Sequence, residues 1–358
     1  MAVLIVTNEK SGLDKYSQEI AKRLDVKKVE SRRYLSLTEA YRLAKLISSQ
    51  GDVVHLPNQH FARYALFRKN PFIVTVHDLV RFCFNFSRET ITESILLKLD
   101  IRYIKRASHI IATSQNTRND LIKYLKIPGN KISVIYNGID HSVFKPYHIK
   151  LLDKPYILYV GSERPRKNLG RLFAAFAKLK KEFPELKLVK IGACGRSEKY
   201  RRDTIKKLDS LGITRDVIFV DHIPEIDLAH YYSSAALLAY PSLYEGFGLP
   251  PLEAMACGCP VVTSNTSSLP EVVGEAGIMV NPYDIDSLAQ AMRQVLTDSK
   301  LRNDMVRKGL EQAKRFSWER ASTETMEVYE KVGEPRDKPT DSLTKPGQLL
   351  KVSITKLG

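Results

Sequence analysis

Tyr240-Pro241-Ser242-Leu243-Tyr244-Glu245-Gly246-Phe247-Gly248-Leu249-Pro250-Pro251-Leu252-Glu253-Ala254-Met255-Ala256 is the stretch from which the fold is read. The apolar run at 236–239 reads as a strand, and a loop with two glycines comes after it. A helix opens near Pro251, because the first helical turn has no use for the N–H that proline lacks. Gly258 ends that helix after about two turns. A strand feeding a glycine loop and then a helix N-terminus makes an anion site. Glycines let backbone amides approach closely, and the helix end favours negative charge. Gly246, Phe247, Gly248 and Leu249 are therefore candidate ligand-binding backbone. Taken singly, Glu253 would complement the helix dipole and Glu245 would be a solvated loop residue. Two carboxylates flanking Gly-x-Gly and Pro-Pro point instead to a binding site.

Outward from this stretch, short apolar runs alternate with amphipathic ones. Strand-like runs lie at 3–6, 53–56, 72–76, 109–112 and 132–135, with helix-like stretches such as 16–24 and 96–104 between them. A second cycle has strand-like runs at 156–160, 186–191, 217–220, 236–239, 260–263 and 277–280. Leu169, Leu172, Phe173, Phe176 and Phe183 share one face of a helix that would pack on the first of these. The βαβα alternation predicts parallel sheets covered on both faces. With 358 residues, the expected architecture is α/β: two Rossmann-like doubly wound domains facing across a cleft. Expected bounds are 1–147 and 148–316, then a helix over 317–332 and a polar, proline-bearing tail over 333–358. Ligands of such sheets sit at the carboxyl ends of strands.

Composition narrows the class. Hydrophobic residues make up 43% and charged residues 27%, which suits a globular chain rather than a disordered one. The sequence shows neither a membrane-length apolar run nor a signal peptide. Cys83, Cys194, Cys257 and Cys259 fit no zinc knuckle and read as reduced structural thiols of a cytosolic protein. Of 56 basic residues, 25 fall in the first 150 positions, against 13 of 40 acidic ones. This excess suits an anionic partner such as acidic lipid or a phosphate-bearing acceptor, or else reflects a surface that tolerates Lys and Arg. Nucleic-acid binding would rest on charge alone and is not expected. Basic pairs occur at Lys22-Arg23, Lys27-Lys28, Arg32-Arg33 and Lys105-Arg106.

Glu245 and Glu253, with Pro241-Ser242, Glu245-Gly246-Phe247-Gly248 and Glu253-Ala254 around them, resemble the signature of glycosyltransferase family 4. These are the retaining enzymes of the GT-B fold, and the resemblance extends over most of 1–332. It implies that Glu253 accepts both ribose hydroxyls of a nucleotide, as a carboxylate can, and that Glu245 meets the donor sugar. Gly161-Ser162-Glu163-Arg164-Pro165-Arg166-Lys167-Asn168 comes directly after a strand. Arg166 and Lys167 are similar in position to the family's diphosphate-binding pair, preorganised cations that take up charge on the leaving group. Ser162 stands where the family often has an arginine, and Arg164 is the available substitute. In the first domain, Gly12 in Ser11-Gly12 matches half of a glycine pair. His77, ending a strand before Asp78, matches a histidine that reaches the donor sugar. Asn137-Gly138 reads as a structural turn. Ser264-Asn265-Thr266 and Ser268-Leu269-Pro270-Glu271 read equally as nucleotide pocket or turn chemistry.

The resemblance implies transfer of a hexose with retention, from a nucleotide diphosphate sugar to a hydroxyl acceptor, a lipid-linked one among the candidates. No Asp-x-Asp motif is present, so neither a metal nor a cofactor is expected. Thr75-Val76-His77-Asp78-Leu79 looks like mannosyltransferase members, which makes GDP-mannose the first donor candidate. Two other readings remain: a nucleotide-sugar-binding subunit without transfer activity, and a nucleotide-sugar epimerase using His77 and Asp78 as proton-transfer groups.

Overall fold

The computed structural model describes residues 2–7, 12–31, 37–49, 53–83, 91–195 and 197–333. The first half contains β1 (Ala2–Thr7), α1 (Gly12–Arg23), β2 (Lys27–Ser31), α2 (Leu37–Ser49) and β3 (Val53–Leu56). After a 3₁₀ segment at Gln59–Phe67 come β4 (Phe72–Val76), α3 (Val80–Cys83), α4 (Ile91–Arg106), β5 (His109–Ala112), α5 (Gln115–Leu125) and β6 (Ile132–Val134). The strands form one parallel sheet of order β2-β1-β3-β4-β5-β6.

Alternation along the central strands explains why both faces are covered. Val3, Ile5 and Val74 point into one core with Leu43, Phe61, Tyr103 and Leu121, from α2, the 3₁₀ segment, α4 and α5. Leu4, Val6 and Ile73 point the other way, onto Tyr16 and Ile20 of α1. A sheet buried on both faces reads as unbroken apolar runs, which is why those strands stand out. β2 does not: it is a polar edge strand, Lys27-Lys28-Val29-Glu30-Ser31, with its side chains at least partly exposed.

The second half contains β7 (Tyr156–Val160), α6 (Leu169–Leu179), β8 (Lys187–Ile191), α7 (Glu198–Leu211), β9 (Val217–Val220), α8 (Glu225–Ser234) and β10 (Leu237–Tyr240). It continues with α9 (Leu249–Ala256), β11 (Val261–Ser264), α10 (Leu269–Val273), β12 (Ile278–Val280), α11 (Ile285–Thr297), α12 (Ser299–Ala313) and α13 (Trp318–Gly333). These strands form a second parallel sheet of order β12-β11-β10-β7-β8-β9. The chain is thus α/β with two doubly wound sheets, as expected. α6 ends before Phe183, which packs on the core from the next turn. α9 starts at Leu249, two residues ahead of the expected Pro251.

α13 leaves the second sheet and returns to the first. Trp318, Ala321, Val328 and Tyr329 join the core of α1 and β1. Tyr329 Oη lies 2.7 Å from His55 Nδ1. Asn137-Gly138 does more than turn the chain. A Cβ on Gly138 would stand 2.1 Å from the Trp318 nitrogen, so the glycine is what lets the two passages between sheets touch. Cys257 and Cys259 are buried and Cys194 is partly exposed. The Cys83 side chain, Ser11, Arg32-Arg33 and 334–358 lie outside the described residues.

Candidate functional site

β7 and β10 are neighbouring strands, and the loops at their carboxyl ends converge. After β7, Pro165-Arg166-Lys167 forms a short 3₁₀ turn that Asn168 closes with φ 61°. The Asn168 amide donates to the carbonyls of Pro241 and Pro282, 2.9 and 2.7 Å away. This pins Arg166 and Lys167 beneath the loop after β10. Lys167 Nζ lies 2.7 Å from Glu245 Oε1 and Arg166 Nη1 lies 2.8 Å from Glu245 Oε2. Arg166 also donates to the Tyr244 carbonyl at 2.8 Å. Tyr240, stacked on Tyr159, accepts from Lys167 at 2.5 Å and donates to Glu245 at 3.0 Å.

Glu245 is only 7% exposed. Burial alone would raise its pKa, but Lys167 and Arg166 outweigh burial and hold it down at about 2. Burial pushes Lys167 down to about 8, Arg166 adding to the shift against the pull of Glu245. Arg166, for all its burial, is raised by Glu245. The sequence presents Arg166, Lys167 and Glu245 as separate candidates. The structure ties them into one cluster.

The glycine loop after Glu245 is held from beneath. Ser267 Oγ accepts from the Glu245 amide at 3.0 Å, and Ser268 Oγ donates to the carbonyls of Glu245 and Phe247. These hydroxyls brace the loop from the segment after β11. Gly248 sits at φ +127°, a conformation open to glycine. Leu249 starts α9, whose Glu253 lies one turn in and accepts from Tyr232 Oη at 2.9 Å. Burial raises the Glu253 pKa against the opposing pull of Lys15.

Ser162 lends its carbonyl to Tyr159 Oη at 3.0 Å. Arg164 runs alongside Gly195, whose added Cβ would touch its Cγ at 3.4 Å. Arg164 also contributes to lowering the Lys167 pKa. Behind this turn is a pair that no sequence motif marks. Lys190 Nζ meets Glu163 Oε1 at 2.9 Å with both side chains fully buried, and Arg201 joins the same oxygen at 2.7 Å.

Across from this cluster stand the residues of the first sheet. A Cβ on Gly246 would lie 1.9 Å from the His77 carbonyl oxygen, so the glycine loop abuts the end of β4. His77 Nε2 lies 2.8 Å from the Pro57 carbonyl, which fixes its tautomer, since a carbonyl can only accept. Asp78 Oδ1 accepts from the Val80 amide at 3.2 Å, where α3 begins. Gly12 is the first residue of α1. Three further contacts join the halves. Tyr244 Oη donates to Asp120 at 2.6 Å, and Lys15 meets Glu225 at 2.5 Å. Glu271 accepts from the amides of Gln115 and Asn116 at 2.6 and 2.7 Å. Long-range pairings of this kind leave no local trace in a sequence.

Among the described residues, no group of three or more His, Cys, Asp or Glu side chains is placed to hold a metal ion. Two doubly wound parallel sheets, with a buried Glu–Arg–Lys cluster and a second glutamate at strand carboxyl ends, define a glycosyltransferase of the GT-B class. Residues 1–143 match the family described as Glycosyltransferase Family 4, and residues 144–312 match Glycosyl transferases group 1. The chain belongs to glycosyltransferase family 4. It is 33% identical over 329 residues to O-antigen chain mannosyltransferase B of Escherichia coli, covering 83% of this chain and 81% of that one. Sucrose-phosphate synthase from Thermosynechococcus elongatus has a similar structure, with a TM-score of 0.79 at 22% identity over 92% of this chain and 98% of that one. HepE from Anabaena, solved with UDP-glucose, also gives 0.79, at 18% identity over 92% of this chain and all of that one. These two structures share its fold.

Proposed function

We propose that the protein transfers mannose from GDP-mannose, with retention, to a hydroxyl acceptor entering over the first domain. The observation that carries this reading is the Glu245–Arg166–Lys167 cluster facing His77. The likeness to a mannosyltransferase over 83% of the chain supports the choice of sugar. In this reading Glu253 accepts the ribose hydroxyls, and the amides of Gly246 to Leu249 line the donor. As the sugar–phosphate bond breaks, charge grows on the diphosphate, and Arg166 and Lys167 stabilise it in a site shielded from water. The leaving phosphate oxygen takes the acceptor proton, so no protein base is required. Glu245 holds the two cations in place. A carboxylate bound by a cation at each oxygen is a poor nucleophile, which disfavours a covalent role. His77 borders the donor sugar from the first domain.

A thermal-shift screen of nucleotide sugars tests the donor, because a ligand of the folded state raises stability by mass action. GDP-mannose should give the largest shift, and transfer should survive EDTA. A larger shift with a UDP-sugar would overturn the donor. Loss of activity in EDTA, restored by magnesium, would overturn metal independence. Binding without hydrolysis or transfer would favour a non-catalytic subunit.

A further inference from the structure

The segment Arg164-Pro165-Arg166-Lys167 is clamped at both ends. Downstream, Asn168 holds it to the carbonyls of Pro241 and Pro282. Upstream, the anchor is Glu163. Its amide donates to the Cys194 carbonyl at 3.3 Å, and its carboxylate gathers cations from two other elements. Lys190 reaches Oε1 from β8, and Arg201 reaches the same oxygen from α7. Lys190 also donates to the carbonyls of Gly192 and Ala193, just after β8. Arg201 continues to Asp221 Oδ1, 3.1 Å away and just past β9. Its guanidinium lies 4.7 Å from the centre of the Phe219 ring. One carboxylate thereby ties together the carboxyl ends of β7, β8 and β9.

Such a network is a poor device for stability. Two buried charges lose their solvation, and an apolar pair of similar volume often holds a core as well or better. Glu163 adds a second cost, because its Oε2 is buried with no hydrogen-bond partner among the described residues. Apolar contact, however, has no direction, whereas a charged hydrogen bond does. We infer that Glu163 is a positioning residue: held by Lys190 and Arg201, it sets where Arg166 and Lys167 stand for the diphosphate. The inference rests on the transfer reading, in which those two cations meet the leaving group. The Glu163 side chain is fully buried behind the turn, so it acts through the turn and not on a ligand.

The test compares calorimetric affinities for GDP against GMP, and for UDP against UMP. Base and ribose are shared within each pair, so the ratio of affinities reports the second phosphate alone. The double variant Glu163→Met with Lys190→Met replaces the buried pair by apolar side chains of similar volume. Its thermal unfolding should match the parent's, while the diphosphate binds roughly tenfold more weakly, the scale of one hydrogen bond to a charged group. The monophosphate should bind as it does to the parent. A network that serves stability alone would leave the ratio unchanged in the folded double variant, and that result overturns the inference. Where the double variant does not fold, Arg201→Leu takes its place. This side chain is 26% exposed, and its loss leaves the contact between Glu163 and Lys190 intact. It should lower the same ratio by about threefold, half the free-energy loss of the double variant, and an unchanged ratio again overturns the inference. Lys167→Met is the control. Loss of the ratio there, but not in the Glu163 or Arg201 variants, overturns the positioning role alone. An unchanged ratio in Lys167→Met, or a parent that prefers neither phosphate form, overturns the diphosphate reading and this inference with it. Equal weakening of monophosphate and diphosphate would make the network a wall of the nucleoside pocket, which also overturns the inference.

Discussion

Lys167 sits where a charge is both needed and costly. Burial holds its pKa at about 8 against an ordinary 10.5, so the folded protein loses this cation as pH rises through about 8. An anionic diphosphate beside it would pull the pKa back up. Binding of a nucleoside diphosphate near that pH should therefore take up a proton. Calorimetry in buffers of different ionisation heat reads this directly, and Lys167→Met should abolish the buffer dependence. Glu245 works in the other direction. Its folded pKa of about 2 lies below its ordinary 4.5, so its contribution to stability is full above the ordinary value and lost as pH falls through about 2. Glu245→Gln leaves two buried cations without their partner and should cost about 3–5 kcal/mol in urea denaturation. Glu253→Ala should weaken nucleotide diphosphate binding by about 1.5–3 kcal/mol, the range for a hydrogen bond to a charged group. Unchanged affinity would remove the ribose assignment. These three residues are visible in the sequence because they lie in short motifs beside strands. Tyr240 and Tyr232 are not, since nothing local marks an apolar-looking tyrosine as the partner of a buried carboxylate.

At the scale of elements, α5 begins with its amides bound to a side chain from the other half. Ser114 takes the Thr117 amide at 3.0 Å, and Glu271 takes those of Gln115 and Asn116. A carboxylate at a helix N-terminus meets both free N–H groups and the helix dipole. Glu271→Ala should cost the joined state about 0.5–2 kcal/mol, the worth of an N-cap. Hydrogen exchange at Gln115 and Asn116 should speed up, while exchange near Leu125 stays as it was. Equal rates at both ends would show that the cap does not hold in solution. The strands flanking this contact are readable as apolar runs. β2 escapes such a reading because an edge strand has little to bury, and the Glu271 contact joins residues more than 150 positions apart.

At the scale of the whole molecule, the chain passes between the sheets twice, and the two passages touch. Ile139 bridges Ser317 in parallel, and His141 Nε2 lies 3.1 Å from the Phe316 carbonyl. Gly138 permits the contact, so Gly138→Ala should destabilise the protein by about 1–3 kcal/mol, as overpacking does, read from thermal denaturation. A single tether would let one half swivel freely about the other. Two tethers in contact act as the pin of a hinge and leave essentially one degree of freedom. Any widening of the cleft must then stretch Tyr244–Asp120, Lys15–Glu225 and Glu271–α5 within a single stroke. Those three contacts would then yield together rather than one after another.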